Sequence, residues 1–175
     1  MTSTTTQPAA EREHRPYDIE ILAPGTFSGV TVTEAELQRI ADNFAKLKGL
    51  HDVPVAVRLG HDDRQVLDQE SGSPSFGWAE RVYKKGSGAA ARLMATIVGM
   101  PRALRQAINA QAYRKVSASL YPAWESTEAE RNLRTGVTGL TLQHIAFLGT
   151  SIPRIRQLAD LPRARSACGR RPPRS

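Results

Sequence analysis

Histidine carries the side chain best suited to proton transfer near neutral pH, and this chain has four, at positions 14, 51, 61 and 144. His14 lies in a Thr-, Ser- and Pro-rich arm, and His51 follows a predicted helix end, where a solvated role fits best. His61 follows a predicted strand and precedes the acidic pair 62–63 and a polar loop. Catalytic groups are commonly displayed at such strand ends. His61 is therefore a candidate catalytic residue, with a solvated turn histidine as the alternative.

Ser117 lies on the polar face of a predicted strand and, taken alone, fits an ordinary surface serine; its hydroxyl would become nucleophilic only if an adjacent imidazole removed its proton. It lies in YRKVSASLY, residues 113–121, where polar and apolar residues alternate as in a half-buried strand. Ser119 shares the polar face and is the alternative nucleophile, while an exposed strand face without chemistry would explain both serines. His144 shares its predicted face with residues such as Leu142, the usual place of a core histidine.

The sequence lacks the motifs that are typical of other kinds of enzyme. The sequence has no Gly-rich phosphate loop, CxxC pair, HExxH motif or GxSxG elbow, so we expect no cofactor and no metal. A metal hydrolase using His61, Asp62 and Asp63 is an alternative, but no second histidine–carboxylate cluster completes a coordination shell. Cys168 is the only cysteine, which excludes an internal disulfide and suits a reducing cytoplasm.

Periodicity predicts the elements that must position these residues. Residues 33–36 form a capping-box pattern with Thr33 as the N-cap, and apolar residues then follow at helical spacing until Gly49 ends the helix. A second helix opens at Met100-Pro101 with the proline at N1, and residues 123–134 are a charged loop. The predicted strands are residues 17–22, 53–59, 76–84, 90–98, 113–121 and 140–148. Together they indicate an α+β domain with a mainly antiparallel sheet or barrel and flanking helices.

Composition divides the chain of 175 residues into one domain, residues 16–161, between a disordered arm, 1–15, and a basic disordered tail, 162–175. The segment from Arg154 onward carries six of the seven net positive charges. Because nucleic-acid proteins usually spread basic charge over the folded domain, nucleic acid is disfavoured as a partner except through the tail. The N-terminus lacks the apolar segment of a secretory signal, and no stretch suits a membrane span.

The order of motifs resembles the phage prohead proteases, including the Mu-like protease/scaffold proteins, which share a fold with the herpesvirus assemblins. The resemblance covers about residues 17–161. It rests on a strand that ends in Gly-His-Asp, on Phe-Gly-Trp at 76–78 with its hairpin, on Tyr-Arg-Lys-Val-Ser-Ala at 113–118 and on Leu-Gln-His-Ile-Ala-Phe-Leu-Gly at 142–149, followed by Pro153.

The resemblance implies a serine endopeptidase of capsid maturation that cleaves capsid and scaffolding proteins, and itself as a further substrate. His61 corresponds to the general base, Ser117 to the nucleophile and His144 to the third, orienting member. Capsid and scaffolding proteins are the implied partners, with self-association as a further option. The implied location is the host cytoplasm, inside the assembling prohead. An oxyanion hole would use backbone N–H groups, with residues 149–154 as candidates.

Two features depart from the family pattern. Residues 109–112 lack the glycine expected before Tyr113, and the chain ends in an arginine-rich segment where relatives often continue into an acidic helical scaffold. The alternative function is a non-catalytic capsid scaffold or assembly protein of the same fold. The joint presence of His61, Ser117 and His144 favours the enzyme.

Overall fold

The computed structural model describes residues 12–13, 15–60, 75–150 and 158–162. Three helices lie in these ranges: α1 (Glu34–His51), α2 (Arg102–Asn109) and α3 (Glu128–Leu133). The same ranges contain the strands β1 (Arg12–Glu13), β2 (Tyr17–Leu22), β3 (Gly25–Phe27), β4 (Val30–Val32), β5 (Ala56–Leu59), β6 (Trp78–Lys85), β7 (Arg92–Val98), β8 (Met100–Pro101), β9 (Lys115–Tyr121) and β10 (Thr141–Leu148).

Six strands form the main sheet in the order β2-β7-β6-β5-β10-β9. Every neighbouring pair is antiparallel except β5 and β10, which run parallel. The strands β3 and β4 make a separate hairpin. The α+β class with a mainly antiparallel sheet is therefore confirmed, in its open form rather than as a closed barrel.

Helix α1 covers one face of this sheet through its apolar stripe. Leu37, Ile40 and Phe44 recur at helical spacing and are buried against the core. They share this core with alternate residues of the strands, including Val57 and Phe147, which are fully buried. Burying side chains of this size stabilises the fold by about 1.5–3 kcal/mol each. This packing fixes which strand residues face inward, and so which face outward.

The two edge strands, β2 and β9, lie close together without forming a ladder. Residues 158–162 tie them at one end. The Leu161 N–H donates to the Arg114 carbonyl oxygen (2.7 Å), the Ala159 N–H donates to Glu20 (3.2 Å), and Tyr17 donates to the Pro162 carbonyl oxygen. The sheet is thus strongly curved, and its edges are bridged at this end by a segment outside the ladder.

Helix α1 begins as expected and ends later than expected. Thr33 accepts a hydrogen bond from the Glu36 N–H (3.2 Å), as the capping box predicts. The helix does not end at Gly49 but continues to His51. Asp52 then takes the left-handed conformation, with φ 49° and ψ 38°, a role that asparagine and aspartate fill more easily than most residues.

The predicted charged loop at residues 123–134 contains a helix. Trp124–Ser126 forms a 3₁₀ turn and Glu128–Leu133 forms α3. The signal was present in the sequence, because Thr-Glu-Ala-Glu at 127–130 repeats the tetrapeptide that caps α1. Thr127 accepts from the Glu130 N–H (3.0 Å), which is the same capping contact.

Helix α2 starts one residue later than predicted. Pro101 is its N-cap rather than its first helical residue, because Met100–Pro101 pairs with Arg12–Glu13 as a short antiparallel ladder. This pairing lies within the arm that composition predicted to be disordered. Most of that arm, and all of the tail after Pro162, lie outside the described residues. Within the described ranges, no helix is both long and apolar enough to cross a membrane.

The Gly49→Ala substitution tests the end of α1. A left-handed glycine that stops a helix would make alanine destabilising. Gly49 instead lies inside the helix, and a Cβ there would meet nothing within 4 Å. We therefore expect Gly49→Ala to raise the free energy of unfolding by about 0.5–1 kcal/mol. Urea denaturation of both proteins measures this, and a lower midpoint for the variant would contradict the observed helix end.

Candidate functional site

A cavity of about 550 Å³ lies beside β9, and we name it the β9 cavity. Its walls come from β9, from the adjoining strands β10 and β5, and from the end of β2 with the β3–β4 hairpin. The lining residues are Leu22, Phe27, Ser28, Val30, Val32, Arg58, Ser117, Ala118, Ser119, Leu120, Pro122, Gln143 and His144. Two of the three predicted catalytic residues, Ser117 and His144, therefore share one cavity.

The register of β9 and β10 fixes how these two side chains relate. Ser117 is paired with Ala146, and Ser119 is paired with His144. Paired residues of an antiparallel ladder project to the same face, so Ser117, Ser119 and His144 lie on one face. Ser117 and His144 are diagonal neighbours, a relation that places Cα atoms about 7–8 Å apart. At this spacing a long or aromatic side chain can still reach across the diagonal, so the two side chains can act on one group in the cavity.

A β-bulge at Gln143 corrects the predicted environment of His144. The ladder shifts register between Leu142, which pairs with Leu120, and His144, which pairs with Ser119. Because Leu120 and Ser119 are successive residues on opposite faces, Leu142 and His144 also lie on opposite faces. His144 therefore does not share a face with Leu142 as simple alternation predicts. Leu142 is buried in the core, and His144 is half-buried in the cavity wall.

Ser119 and Ser117 differ in their hydrogen bonds. The Ser119 hydroxyl donates to the Gln143 side-chain oxygen (2.8 Å). An amide oxygen holds this proton without being able to remove it, so the bond orients Ser119 but does not activate it. The Ser117 hydroxyl bonds to none of the described residues. Of the two serines, Ser117 is the one whose proton is not committed to an amide, and Gln143 is a site residue that sequence reasoning missed.

Arg58 is a second residue that sequence reasoning missed. It pairs with Ala146 across the parallel β5–β10 ladder, and Ala146 pairs with Ser117. Arg58, Ala146 and Ser117 thus form one row across three strands on the cavity face, with the smallest side chain in the middle. The sequence could have indicated its position, because Arg58 is the polar residue between Val57 and Leu59 in an alternating segment.

His61 lies outside the described residues, as do Asp62 and Asp63. The chain before it is described to Gly60, whose N–H donates to the Phe147 carbonyl oxygen (2.9 Å). The structure brings Ser117 and His144 together and does not test the predicted meeting of His61 with either. The candidate oxyanion-hole residues after Thr150 are also undescribed.

The carboxylate of Glu130 collects several hydrogen bonds within the loop between β9 and β10. Glu130 accepts hydrogen bonds from the Thr135 hydroxyl, the Thr135 N–H (3.0 Å), the Gly136 N–H (2.8 Å) and the Trp124 indole N–H (2.8 Å). The Thr135 hydroxyl is the main cause that lowers the pKa of Glu130 to about 2. From α1, the Asn43 amide donates to the Leu140 carbonyl oxygen (3.0 Å). These bonds fix where β10 starts, and hence the register that sets Ser117 against His144.

Among the residues that the structure describes, no group of three or more His, Cys, Asp or Glu side chains could hold a metal ion. The alternative metal site at His61, Asp62 and Asp63 falls outside those residues and remains untested.

No protein-family model, curated protein or solved structure matches this chain. The site must therefore be interpreted from its own geometry.

Glu130→Gln should make the protein less stable near neutral pH and flatten its stability at low pH. A carboxyl whose pKa falls from 4.5 to about 2 on folding contributes stability that is complete above about pH 4.5 and is lost as the pH falls towards 2. Thermal melting from pH 7 to pH 2 tests this. Glu128→Gln, at an exposed position in the same helix, is the control and should follow the wild type. Parallel profiles for Glu130→Gln and wild type would contradict the assignment.

Proposed function

We propose that this chain is a serine endopeptidase of phage capsid maturation, with Ser117 as nucleophile, His61 as general base and His144 as the residue that orients the base. One observation carries the proposal: Ser117 and His144 face the same cavity from adjacent strands at diagonal positions. The sequence resemblance assigned these residues their roles, and the cavity face is compatible with them.

The mechanism follows from the chemistry of the three side chains. His61 takes the proton of the Ser117 hydroxyl as its oxygen attacks the scissile carbonyl carbon, which gives a tetrahedral intermediate. The imidazolium then returns that proton to the leaving amine, and the carbon–nitrogen bond breaks to leave an acyl-enzyme. Water, deprotonated by the same imidazole, hydrolyses the ester and restores Ser117. Ser117 and His144 lie on the same face of adjacent strands, which is the arrangement that a shared imidazole would require.

The third member of the triad would be a neutral imidazole rather than a carboxylate. No Asp or Glu occurs between Glu130 and Asp160 in the sequence, so β10 offers His144 alone for this role. A neutral ring can accept a hydrogen bond and fix the tautomer of the base, but it stabilises the imidazolium less than a carboxylate does. We therefore expect a slow protease, which suits an enzyme that acts on a concentrated substrate inside an assembling particle.

The partners that belong to this proposal are capsid and scaffolding proteins, and copies of the chain itself. The location that belongs to it is the host cytoplasm, within the prohead. The alternative function is a non-catalytic capsid scaffold with the same fold. A scaffold would have the same fold and cavity but would not cleave protein, so an activity measurement distinguishes the scaffold from the protease.

Ser117→Ala should abolish cleavage of the cognate capsid protein, by on the order of 10³-fold or more. It should change the free energy of unfolding by less than about 0.5 kcal/mol, because Ser117 is half-buried and bonds to no described residue. His61→Ala should be comparably inactive, because base and nucleophile act as one unit. His144→Ala should keep part of the activity, because an orienting residue contributes less than the pair that it orients. Gel analysis of cleavage beside thermal melting measures all of these.

Ser119→Ala is the matched control, since Ser119 lies two residues away on the same face and its hydroxyl is bonded to Gln143. It should remain active, and a fluorophosphonate probe should label it as it labels the wild type. Full activity in Ser117→Ala would overturn the assignment of the nucleophile. A wild type that neither cleaves its capsid protein nor reacts with the probe would favour the scaffold.

A further inference from the structure

The β9 cavity extends around the edge of a strand rather than over one face of it. Residues 117–120 are consecutive and all four line the cavity, whereas a cavity above one face would be lined by every second residue only. Ser117 and Ser119 lie on the same face as His144. Ala118 and Leu120 lie on the opposite face, where they pack against the main hydrophobic core. The cavity therefore reaches from the serine face of the sheet to its core.

The core is accessible from the cavity because the curved sheet is not closed at this place. The edge strands β2 and β9 lie close together without forming a ladder. Residues 158–162 bridge them at the start of β9, where the Leu161 N–H donates to the Arg114 carbonyl oxygen (2.7 Å). Further along, the cavity is lined by β9 and by Leu22 at the end of β2, and within the described residues no strand fills this gap. A ligand in the cavity can therefore contact core side chains without displacing a strand.

The β3–β4 hairpin supplies the opposite wall of this gap. Phe27 and Val30 line the cavity and pack against the core. The Phe27 ring lies against Gly25, where a Cβ would approach a ring atom to 2.5 Å, so the glycine leaves the ring its place in the wall.

The partly covered part of the core is concentrated at this cavity. In the described part of the chain, seven partly buried hydrophobic residues pack against the main core, and four of them line the cavity: Phe27, Val30, Ala118 and Leu120. We name the surface that these four residues form the apolar half of the β9 cavity. It adjoins the proposed nucleophile directly, since Ala118 follows Ser117 in β9.

The apolar half indicates the kind of side chain that the cavity would accept. Apolar side chains gain free energy in proportion to the area that they remove from water, whereas an amide side chain placed there would lose its hydrogen bonds to water. The volume of about 550 Å³ falls within the range of about 300–1,000 Å³ that is typical of ligand sites, which are mostly apolar with a few orienting polar groups. An extended peptide along the edge of β9 would direct successive side chains alternately to the apolar half and to the serine face.

We propose that the apolar half of the β9 cavity is a subsite for a large aliphatic or aromatic side chain of a peptide. This proposal rests on the proposed function, because the peptide is the substrate of the proposed protease and the occupied subsite would hold it beside Ser117. Phe27 and Val30 are then specificity-determining residues that take no part in the chemistry. The substrate class is a peptide with Leu, Phe or a similar side chain next to the bond that is cleaved.

Binding is measured with the full chain carrying Ser117→Ala, so that no cleavage intervenes. The probes are fluorescein-labelled peptide pools of polar residues with one fixed central residue, which is Leu in one pool and Asn in the other. Fluorescence anisotropy should show binding of the Leu pool at least about tenfold tighter than that of the Asn pool. Phe27→Ala in the same background should remove most of this preference. Phe76→Ala is the matched control, because Phe76 is also half-buried against the core but does not line the cavity, and it should keep the preference.

Two further measurements locate the effect. Val30→Thr should reduce the preference for the Leu pool without opening a cavity in the protein, whereas Val98→Thr, at a half-buried position outside the β9 cavity, should leave it unchanged. Methyl NMR signals of Val30 and Leu120 should shift when the Leu pool is added. Those of Leu104, which is buried in α2 and does not line the cavity, should stay in place.

Equal binding of the Leu and Asn pools would overturn the proposal, as would an equal loss of preference in Phe27→Ala and Phe76→Ala or unshifted signals of Val30 and Leu120. These outcomes would leave the protease assignment standing if the wild type cleaves its capsid protein. Selective binding of the Leu pool with the expected variant effects, by a wild type that cleaves nothing, would support the subsite while the protease assignment fails.

Discussion

The pairing of β9 with β10, interrupted by one extra residue at Gln143, is the constraint on which the candidate site depends. β10 must bury Leu142 in the core and still present His144 to the cavity. Regular alternation cannot do both, because residues two apart in a strand share a face. The bulge places Gln143 and His144 opposite the single residue Ser119 and so reverses the facing between Leu142 and His144. The extra residue also supplies the amide that holds the Ser119 hydroxyl.

A bulge persists only if the ends of its strand are fixed, since a slip by one residue would exchange the two faces. In this protein, the loop that connects β9 to β10 fixes the start of β10. The Glu130 carboxylate accepts hydrogen bonds from both sides of this loop. Trp124 is buried with Leu47 and Val137 in a small second core. Asn43 of α1 bonds the carbonyl oxygen of Leu140 directly before β10. The register of the site is thus set by residues that never touch the cavity.

Local patterns predicted the elements well where one rule governed them. The alternation of residues 17–22 and 113–121 gave β2 and most of β9, and the capping box gave the start of α1. The failures occurred where several rules competed. Gly49 resembles a helix stop, but the left-handed turn falls at Asp52. The bulge at Gln143 could not be predicted from the alternation of residues within β10. It is set by the pairing of β10 with β9, which is distant in sequence. Ser117 and His144 were predicted as partners, whereas Arg58 was overlooked although the same alternation argument places it on the polar face.

The chemistry that the β9 cavity could support is limited by what its lining lacks. Ser117 and His144 line the cavity, and none of its described lining residues is Asp or Glu. A triad built there would therefore use an imidazole where a carboxylate is usual, and an imidazole stabilises the imidazolium form of the base less than a carboxylate does. The expected cost is a slow proton transfer from the Ser117 hydroxyl, because the cation that this step creates is weakly stabilised. The same residues that fix the strand register would thus place the nucleophile well and leave the base poorly supported.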